Sequence, residues 1–142
     1  GDTLAAIFAL NDTLYFFTTA GRPLGARPIR SRHFRRVPPA TPRAAASGSD
    51  QGKWLGTFDY VHDVHWLANG DLIVTYMSLE PGQSLERLER RWHLLRWRRD
   101  GAWDLEIRDT PRLLAVDRDG EELYFVAPGA EAPNRWMTAR FR

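Results

Sequence analysis

Two histidines and an aspartate lie within four positions of one another, at His62, Asp63 and His65. Imidazole nitrogens and carboxylate oxygens can bind zinc, and a carboxylate can also orient a histidine for acid–base catalysis. The surrounding segment, 61–68, has the apolar pattern of a β-strand, whose successive side chains point to opposite faces. His62 and His65 therefore point apart, whereas Asp63 and His65 share a face. The pattern predicts at most a two-residue ligand or metal site at Asp63 and His65, and a hydrogen-bonded structural histidine is the competing interpretation.

The longer motifs that mark an active site are missing from the sequence, which contains no HExxH, no GxSxG and no phosphate loop. The absence of Cys excludes disulfides, thiolate zinc sites and cysteine nucleophiles. The turn at 117–120 has the start of a calcium loop but lacks the glutamate that such a loop needs downstream. A non-enzymatic protein is therefore predicted, and no cofactor is expected.

Positive charge is concentrated near the start of the chain, although the net charge is only +2. No acidic residue occurs between Asp12 and Asp50. Seven arginines occupy this window, namely Arg22, Arg27, Arg30, Arg32, Arg35, Arg36 and Arg43. Such a segment can lie along an anionic surface of a protein, a lipid layer or a nucleic acid. We expect these arginines, within 22–43, to bind a partner, and a solvated arginine-rich loop is the competing interpretation.

A second basic stretch combines arginine with tryptophan. Its members are Arg90, Arg91, Trp92, Arg96, Trp97, Arg98 and Arg99. Interleaved basic and aromatic residues are typical of single-stranded nucleic-acid binding. On a strand, however, these side chains divide between two faces, and Glu86, Glu89 and Asp100 lie nearby in sequence. We therefore expect no single basic patch here and no nucleic-acid partner.

Length and composition fit one folded domain or part of a larger protein. The 142 residues are 43% hydrophobic and 12% aromatic, enough for a core. No apolar run approaches the roughly 18 residues of a membrane-spanning helix, so no transmembrane segment is expected. The sequence starts at Gly1 without an initiator methionine, which suggests processing or a fragment of something longer.

Ten short strands, with almost no helix, are predicted by alternating or continuous apolar runs between turn residues. They are 4–10, 13–19, 23–30, 61–68, 71–78, 91–98, 102–108, 112–117, 122–127 and 135–142. A segment rich in Pro, Ala, Ser and Gly, 37–53, is expected to be a linker or long loop. The predicted organisation is a partial first blade with a basic extension at 1–36, this linker, and two further blades at 54–142.

Recurring turns indicate which all-β fold the strands form. The turn at Asn69-Gly70 recurs at Asp119-Gly120, 50 residues later, and those at Gly21 and Gly101 lie 80 residues apart. If the linker is an insertion, this spacing fits propeller blades of about 40–50 residues. We therefore predict a partial β-propeller whose three blades hold three, four and three strands. A β-sandwich is the alternative.

Strand patterning agrees with stacked blades. The runs LIVTYM and LYFF are continuously apolar, as expected for middle strands buried on both faces. An outer strand should alternate instead, and Trp103, Leu105 and Ile107 do alternate with charged residues. Both features support a blade in which consecutive strands run from the inside to the outside.

Several segments resemble the C-terminal portion of bacterial six-bladed β-propeller proteins of the NHL-like kind. Over residues 54–142 they are DVHWLANGDLIVTY, WHLLRWRRDG, RLLAVDRDGEELYFV and APNRWMTARFR, and LYFFTTAGRPLG extends the likeness toward the start. The resemblance implies an extracytoplasmic or periplasmic location and brings no catalytic motif. It also implies that about half of the expected ring is missing, because a closed propeller needs about four blades or more.

An incomplete ring would leave strand edges and apolar faces uncovered, which favours aggregation. We therefore expect a larger propeller, a ring completed by association, or a partner protein that completes or covers the open blades. The predicted function is a non-enzymatic protein-interaction or scaffold module, for example an accessory subunit of a membrane-associated respiratory or photosynthetic complex. The alternative is a propeller-type enzyme or a small-ligand or metal binder that uses Asp63 and His65.

Overall fold

The computed structural model describes residues 2–38, 54, 56–79, 90–117, 119, 122–127 and 135–140. Ten β-strands lie within them. They are β1 (Thr3–Ala6), β2 (Thr13–Thr18), β3 (Pro23–Pro28), β4 (Tyr60–Trp66), β5 (Leu72–Leu79), β6 (Arg90–Trp97), β7 (Trp103–Thr110), β8 (Leu113–Val116), β9 (Glu122–Val126) and β10 (Trp136–Arg140). Each predicted strand is present, and the largest difference is at β1, which ends at Ala6 rather than at residue 10. Most of the predicted linker, 39–53, lies outside the described residues.

The strands form three antiparallel sheets whose neighbours follow one another in sequence. Their orders are β1-β2-β3, β4-β5-β6-β7 and β10-β9-β8. The predicted all-β class and the grouping into three, four and three strands are therefore confirmed. The arrangement of the sheets as propeller blades stays a prediction, with the β-sandwich as its alternative, and so do the predicted domain bounds.

Three of the hairpins use the same turn, at 18–22, 67–71 and 98–102. In each, the N–H of the first residue donates to the C=O of the fifth, over 2.7–2.9 Å. The N–H of the fourth residue, a glycine, donates back to the C=O of the first. These glycines have φ values of 79°, 84° and 94°, in the left-handed region that other residues adopt only with strain. The local sequence therefore determines where these three hairpins turn.

The chain divides into two compact units, residues 1–62 with 76–91 and residues 63–75 with 92–142. In the first unit Leu14 and Ile29 are fully buried. Phe34 packs edge-to-face on Tyr76, with ring centroids 5.3 Å apart. Aromatic pairs in this geometry add to the free energy gained from apolar burial. The first unit therefore has a core of its own, with Tyr76 in β5 as its largest fully buried side chain.

The core of the second unit is formed by aliphatic side chains and one phenylalanine. Its members are Leu67, Ile73, Leu94, Leu113, Leu123 and Phe125, with Val116 packed against them. At the start of β5, Leu72, Ile73 and Val74 have no exposed surface. The prediction that this strand is buried on both faces is therefore confirmed.

The alternation predicted for β7 is found only in part, because Ile107 is 41% exposed. The pairing of β6 with β7 shifts register at two places, between Trp92 and Leu94 and between Arg96 and Trp97. Near the first shift, Asp109 adopts a φ of 53°. Such irregularities add residues to one strand and change which side chains share a face. They interrupt the period of two on which the prediction depended.

Candidate functional site

The structure brings Asp63 and His65 together on β4, as the alternation of side chains predicts. Nε2 of His65 lies 3.2 Å from Oδ2 of Asp63. The other carboxylate oxygen of Asp63 accepts a hydrogen bond of 2.8 Å from the backbone N–H of Val64, which orients the carboxylate. The third residue of the sequence cluster, His62, is exposed. A ligand-binding role for Asp63 and His65 stays a prediction.

The ring nitrogen of His65 is buried and has an unusual environment. Although Nε2 lies at ion-pair distance from Asp63, it makes no hydrogen bond of acceptable geometry with the described residues. Buried polar atoms nearly always have a hydrogen-bond partner, so this nitrogen is a place where a proton donor or a metal ion would add a bond. The described residues contain no group of three or more His, Cys, Asp or Glu that could hold a metal. A metal at this position would therefore have two ligands from the described residues, fewer than the three of catalytic zinc sites.

Arg35, one of the seven predicted partner-binding arginines, is held by the buried carboxylate of Asp59. Its backbone N–H donates to Oδ2 of Asp59 over 2.9 Å, and its Nε donates to Oδ1 over 2.8 Å. Nη2 of Arg35 also donates to the backbone oxygen of Leu79. The guanidinium of Arg35 is therefore held by hydrogen bonds within the protein.

The guanidinium of Arg36 is also hydrogen-bonded within the protein. Its Nε donates to Oδ2 of Asp12 and its Nη2 donates to the backbone oxygen of Ile29. Asp12 lies 24 residues away in sequence, which is why the acid-free window gave no sign of it. Arg35 and Arg36 thus have acidic partners within the fold although none lies near them in sequence, and their predicted role in partner binding stays a prediction.

The other predicted arginines have different surroundings. Arg22, Arg27, Arg30 and Arg32 are exposed, and none of the four forms an ion pair within the described part of the chain. Arg27 lies on β3 and donates from Nη1 to the backbone oxygen of Ala26. Arg43 lies outside the described residues. Among the described residues, these four arginines are the members of the predicted basic surface that are exposed and form no ion pair.

The second unit contains a polar cleft of about 680 Å³, which we call the turn cleft because two of the shared turns contribute to it. Its lining residues are Asn69, Asp71, Arg96, Arg98, Arg99 and Asp100. The sequence pattern predicted no single basic patch for this stretch, and three of its arginines line the cleft together with Asp71 and Asp100. Arg96 and Arg98 are two positions apart, and Arg99 follows in the turn. This spacing, next to the turn glycine Gly101, is the sequence feature that could have predicted arginines on one side of the turn.

Asp71 connects the two turns that line the cleft. Its Oδ1 accepts a hydrogen bond of 3.0 Å from the backbone N–H of Arg99, and its Oδ2 accepts one of 3.0 Å from Nδ2 of Asn69. The backbone N–H of Asp71 donates in return to Oδ1 of Asn69. Only 8% of Asp71 is exposed. This buried carboxylate therefore fixes the backbone on both sides of the cleft.

Two aspartates partly balance the arginines. Arg96 donates from Nε and Nη2 to the two carboxylate oxygens of Asp104, over 3.0 and 2.7 Å. These hydrogen bonds lower the pKa of Asp104 below its ordinary value and raise that of Arg96. The contacts of Arg98 are longer, 3.4 Å to Asp100 and 4.0 Å to Asp104. The side chain of Arg99 has no acidic partner among the described residues.

Tryptophan does not contribute an exposed stacking surface at this cleft. Trp97, which precedes Arg98, is only 9% exposed and belongs to the core side of β6. Nucleic-acid modules that bind single strands stack bases on exposed aromatic rings. The cleft therefore has hydrogen-bond donors that can bind an anion, but among the described residues its lining contains no aromatic ring on which a base could stack.

No family model, curated protein or solved structure matches the chain. The resemblance to NHL-like propellers therefore stays a prediction. In the portion of the chain that the structure describes, no helix has the length and hydropathy needed to cross a membrane.

Proposed function

We propose that the chain is a non-enzymatic protein-interaction module that receives an extended segment of a partner protein along β10. The observation that carries this proposal is the exposure of β10. It is the last strand of the sheet β10-β9-β8, and all five of its residues are exposed. Trp136 is 61% and Met137 42% exposed, so the strand offers apolar side chains as well as an edge.

The backbone of β10 has donors and acceptors that face away from β9. Ala127 donates from its N–H to the C=O of Arg135 over 3.0 Å, so residues 127 and 135 form a hydrogen-bonded pair. Because hydrogen-bonded and non-hydrogen-bonded pairs alternate in an antiparallel ladder, the backbone groups of Trp136, Thr138 and Arg140 point outward. A partner strand can bond to these three residues, and pockets for alternate side chains would add specificity.

The exposed edge strand β3 is less suited to this role. All six of its residues are also exposed, but it begins at Pro23 and ends at Pro28. Proline has no backbone N–H, and edge strands commonly carry it as a protection against pairing. β10 contains no proline. For this reason we assign strand addition to β10 and leave a charged contact to the exposed arginines Arg22, Arg27, Arg30 and Arg32.

The propeller interpretation supports the same edge. One sheet has four consecutive strands, β4 to β7, whereas the sheet of β8, β9 and β10 has three. If the sheets are blades, the position of the fourth strand is beside β10. A partner strand at this edge would complete the blade. The role as an accessory subunit of a membrane-associated complex and the extracytoplasmic location belong to this proposal.

Light scattering of Thr138→Pro tests the proposed edge. The substitution removes an outward N–H and leaves the inward bonds of residues 137 and 139 to β9. We expect the wild-type chain to associate at micromolar concentration, or with an added partner, and Thr138→Pro to remain a folded monomer. Arg108→Ala, at an exposed position on β7 with no proposed partner contact, is the surface control and should associate like the wild type. A wild-type chain that stays monomeric with and without host extract would contradict the proposal.

A second candidate function is small-ligand or metal binding at Asp63 and His65, as a propeller-type enzyme or binder. The specific observation in its favour is the buried Nε2 of His65, which lies 3.2 Å from Asp63 but lacks a hydrogen bond with the described residues. Asp63 is 46% exposed at its side chain, so its carboxylate is open to solvent, whereas Nε2 of His65 is buried. The pair therefore combines an exposed carboxylate with a buried nitrogen whose bonding capacity is unmet.

A further inference from the structure

We propose that the turn cleft binds a small phosphate-type oxyanion, either free phosphate or a phosphate monoester carried on a larger molecule. This site lies in the second unit, at the turns 67–71 and 98–102, and does not depend on the edge of β10. The cleft's volume of about 680 Å³ is within the range of small-molecule sites. Its lining contains three guanidinium groups, of which two retain unused donors.

Arg98 is the first of the two available guanidinium groups. Half of its side chain is exposed, and its acidic neighbours, Asp100 and Asp104, lie 3.4 and 4.0 Å away. Charge-assisted hydrogen bonds between a guanidinium and a carboxylate are about 2.7–2.9 Å long. The contacts of Arg98 therefore hold its head group near the cleft without using its five N–H donors fully.

Arg99 is the second, and its main chain and stem are fixed in place. Its backbone N–H is bound to buried Asp71, and its aliphatic stem lies over Gly70. A Cβ atom added at Gly70 would be 3.1 Å from Cδ of Arg99. Since the stem is already ordered by the turn, binding an anion costs less side-chain entropy than at a free arginine.

The charges around the cleft fit a small anion better than a long polyanion. Arg96 is committed to Asp104 through two hydrogen bonds. Asp71 is buried and both of its oxygens accept hydrogen bonds, whereas Asp100 is exposed beside Arg98. An extended polyanion would meet Asp100, but a small oxyanion can be bound between Arg98 and Arg99 alone.

A phosphate group matches these two arginines in chemistry. It has at least three oxygens that accept hydrogen bonds and carries up to about two negative charges near neutral pH. Guanidinium groups bind such oxygens two at a time, in a fixed planar geometry. Consecutive arginines that approach from one turn can therefore share one tetrahedral anion.

Calorimetric titration at low salt tests the site with two probes, inorganic phosphate and O-phosphoserine. We expect both to bind the wild-type chain, because the common group is the phosphate. Arg98→Ala and Arg99→Ala should each weaken binding by about tenfold or more, as expected when a hydrogen bond to a charged group is lost. Stronger binding of O-phosphoserine would identify a monoester as the preferred ligand, and stronger binding of inorganic phosphate would identify free phosphate.

Two control variants separate the site from general attraction and from folding. Arg108→Ala removes an exposed arginine of β7 that does not line the cleft and should leave phosphate affinity unchanged. Arg99→Lys keeps the charge and should bind with intermediate affinity, because it loses the planar fork. Circular dichroism confirms that each variant is folded.

The proposal is overturned if millimolar phosphate gives no heat at low salt, or if Arg98→Ala and Arg99→Ala bind as the wild type does. It is also overturned if Arg108→Ala weakens binding as much as they do, since the attraction would then be diffuse. Thr138→Pro should bind phosphate as the wild type does. A failure of phosphate binding at the turn cleft can therefore be distinguished from a failure of partner binding at β10.

Discussion

Arg35 and Asp59 are joined by three hydrogen bonds that run in both directions. The backbone N–H and the Nε of Arg35 donate to the carboxylate of Asp59, and the backbone N–H of Asp59 donates to the C=O of Arg35 over 3.0 Å. The side chain of Asp59 is only 1% exposed, whereas that of Arg35 is 34% exposed. Two segments 24 residues apart in sequence are therefore connected through a nearly buried ion pair.

Arg35→Ala should lower the free energy of unfolding, because it leaves the buried carboxylate of Asp59 without its cation. Removing one partner of a fully buried pair costs roughly 3–5 kcal/mol, and the partial exposure of Arg35 reduces this to about 2–3 kcal/mol. Urea denaturation at neutral pH measures the change. Leu79 also loses the hydrogen bond that its backbone oxygen accepts from Nη2 of Arg35, and this loss acts in the same direction.

Arg32→Ala is the control for this change, since Arg32 is exposed and forms no ion pair within the described residues. A surface substitution of this kind usually changes stability by less than about 0.5 kcal/mol. If both variants unfold at the same denaturant concentration, Arg35 is not the structural residue that its contacts indicate. Its predicted role in partner binding would then regain weight.

The hairpins could be predicted from sequence because their information is local. A glycine at the fourth position sets the turn at 18–22, 67–71 and 98–102, and the flanking apolar runs specify the strands. The same local information placed Asp63 beside His65. The proposed recurrence at Asp119-Gly120 could not be compared in this way, because Gly120 lies outside the described residues.

The features that sequence reasoning missed depend on contacts between distant residues. Asp59 and Asp12 reach Arg35 and Arg36 only after the chain has folded, so distance along the sequence was misleading. The turn cleft requires Asp71 to hold the turn that contains Arg99, 28 residues away. Irregular pairing of β7 depends on its partner strand. Local periodicity contains none of this information.

Acid should weaken the contribution of Asp104 to stability. Arg96 lowers the pKa of Asp104 from its ordinary value of 3.8, first through their hydrogen bonds. A group whose pKa is lower in the folded state stabilises it above the unfolded pKa and loses this effect as the pH falls through the folded pKa. The loss should therefore begin near the ordinary value and be complete below the folded one.

Denaturation of the wild type and Asp104→Asn across this acidic window measures the effect. We expect the difference in stability between them to be constant near neutral pH and to shrink as the pH falls below about 4. Asp100→Asn is a suitable control, because Asp100 is exposed and its ion pair with Arg98 is long, at 3.4 Å. A difference that stays constant down to the lowest pH would show that the Arg96 pair does not affect folding stability.

Zinc tests whether the Asp63–His65 pair is a ligand site. If it binds, the melting temperature should rise by roughly 5–10 °C at a hundredfold excess over Kd, because the metal stabilises only the folded state. Asp63→Ala and His65→Ala should both abolish the shift, whereas His62→Ala should keep it. The absence of a shift with common divalent metals and with sugars would count against this candidate function.

Gly70→Ala should disturb both stability and the turn cleft, whereas Gly21→Ala should affect stability alone. Both glycines occupy the same position of the shared turn, with φ values of 84° and 79°, so each alanine is strained by about 1 kcal/mol. At Gly21 an added Cβ meets no atom of the described residues within 4 Å, but at Gly70 it meets the stem of Arg99 at 3.1 Å. The backbone strain should therefore be similar in Gly21→Ala and Gly70→Ala. Only Gly70→Ala should displace the side chain of Arg99.

Urea denaturation and phosphate titration of these two variants separate the effects. We expect similar losses of unfolding free energy in both, and weaker phosphate binding only in Gly70→Ala, since its new methyl group moves the stem of Arg99. The combined variant Gly70→Ala with Arg99→Ala should bind phosphate no more weakly than Arg99→Ala alone. Further weakening in the combined variant would mean that Gly70 supports the cleft through another group than Arg99.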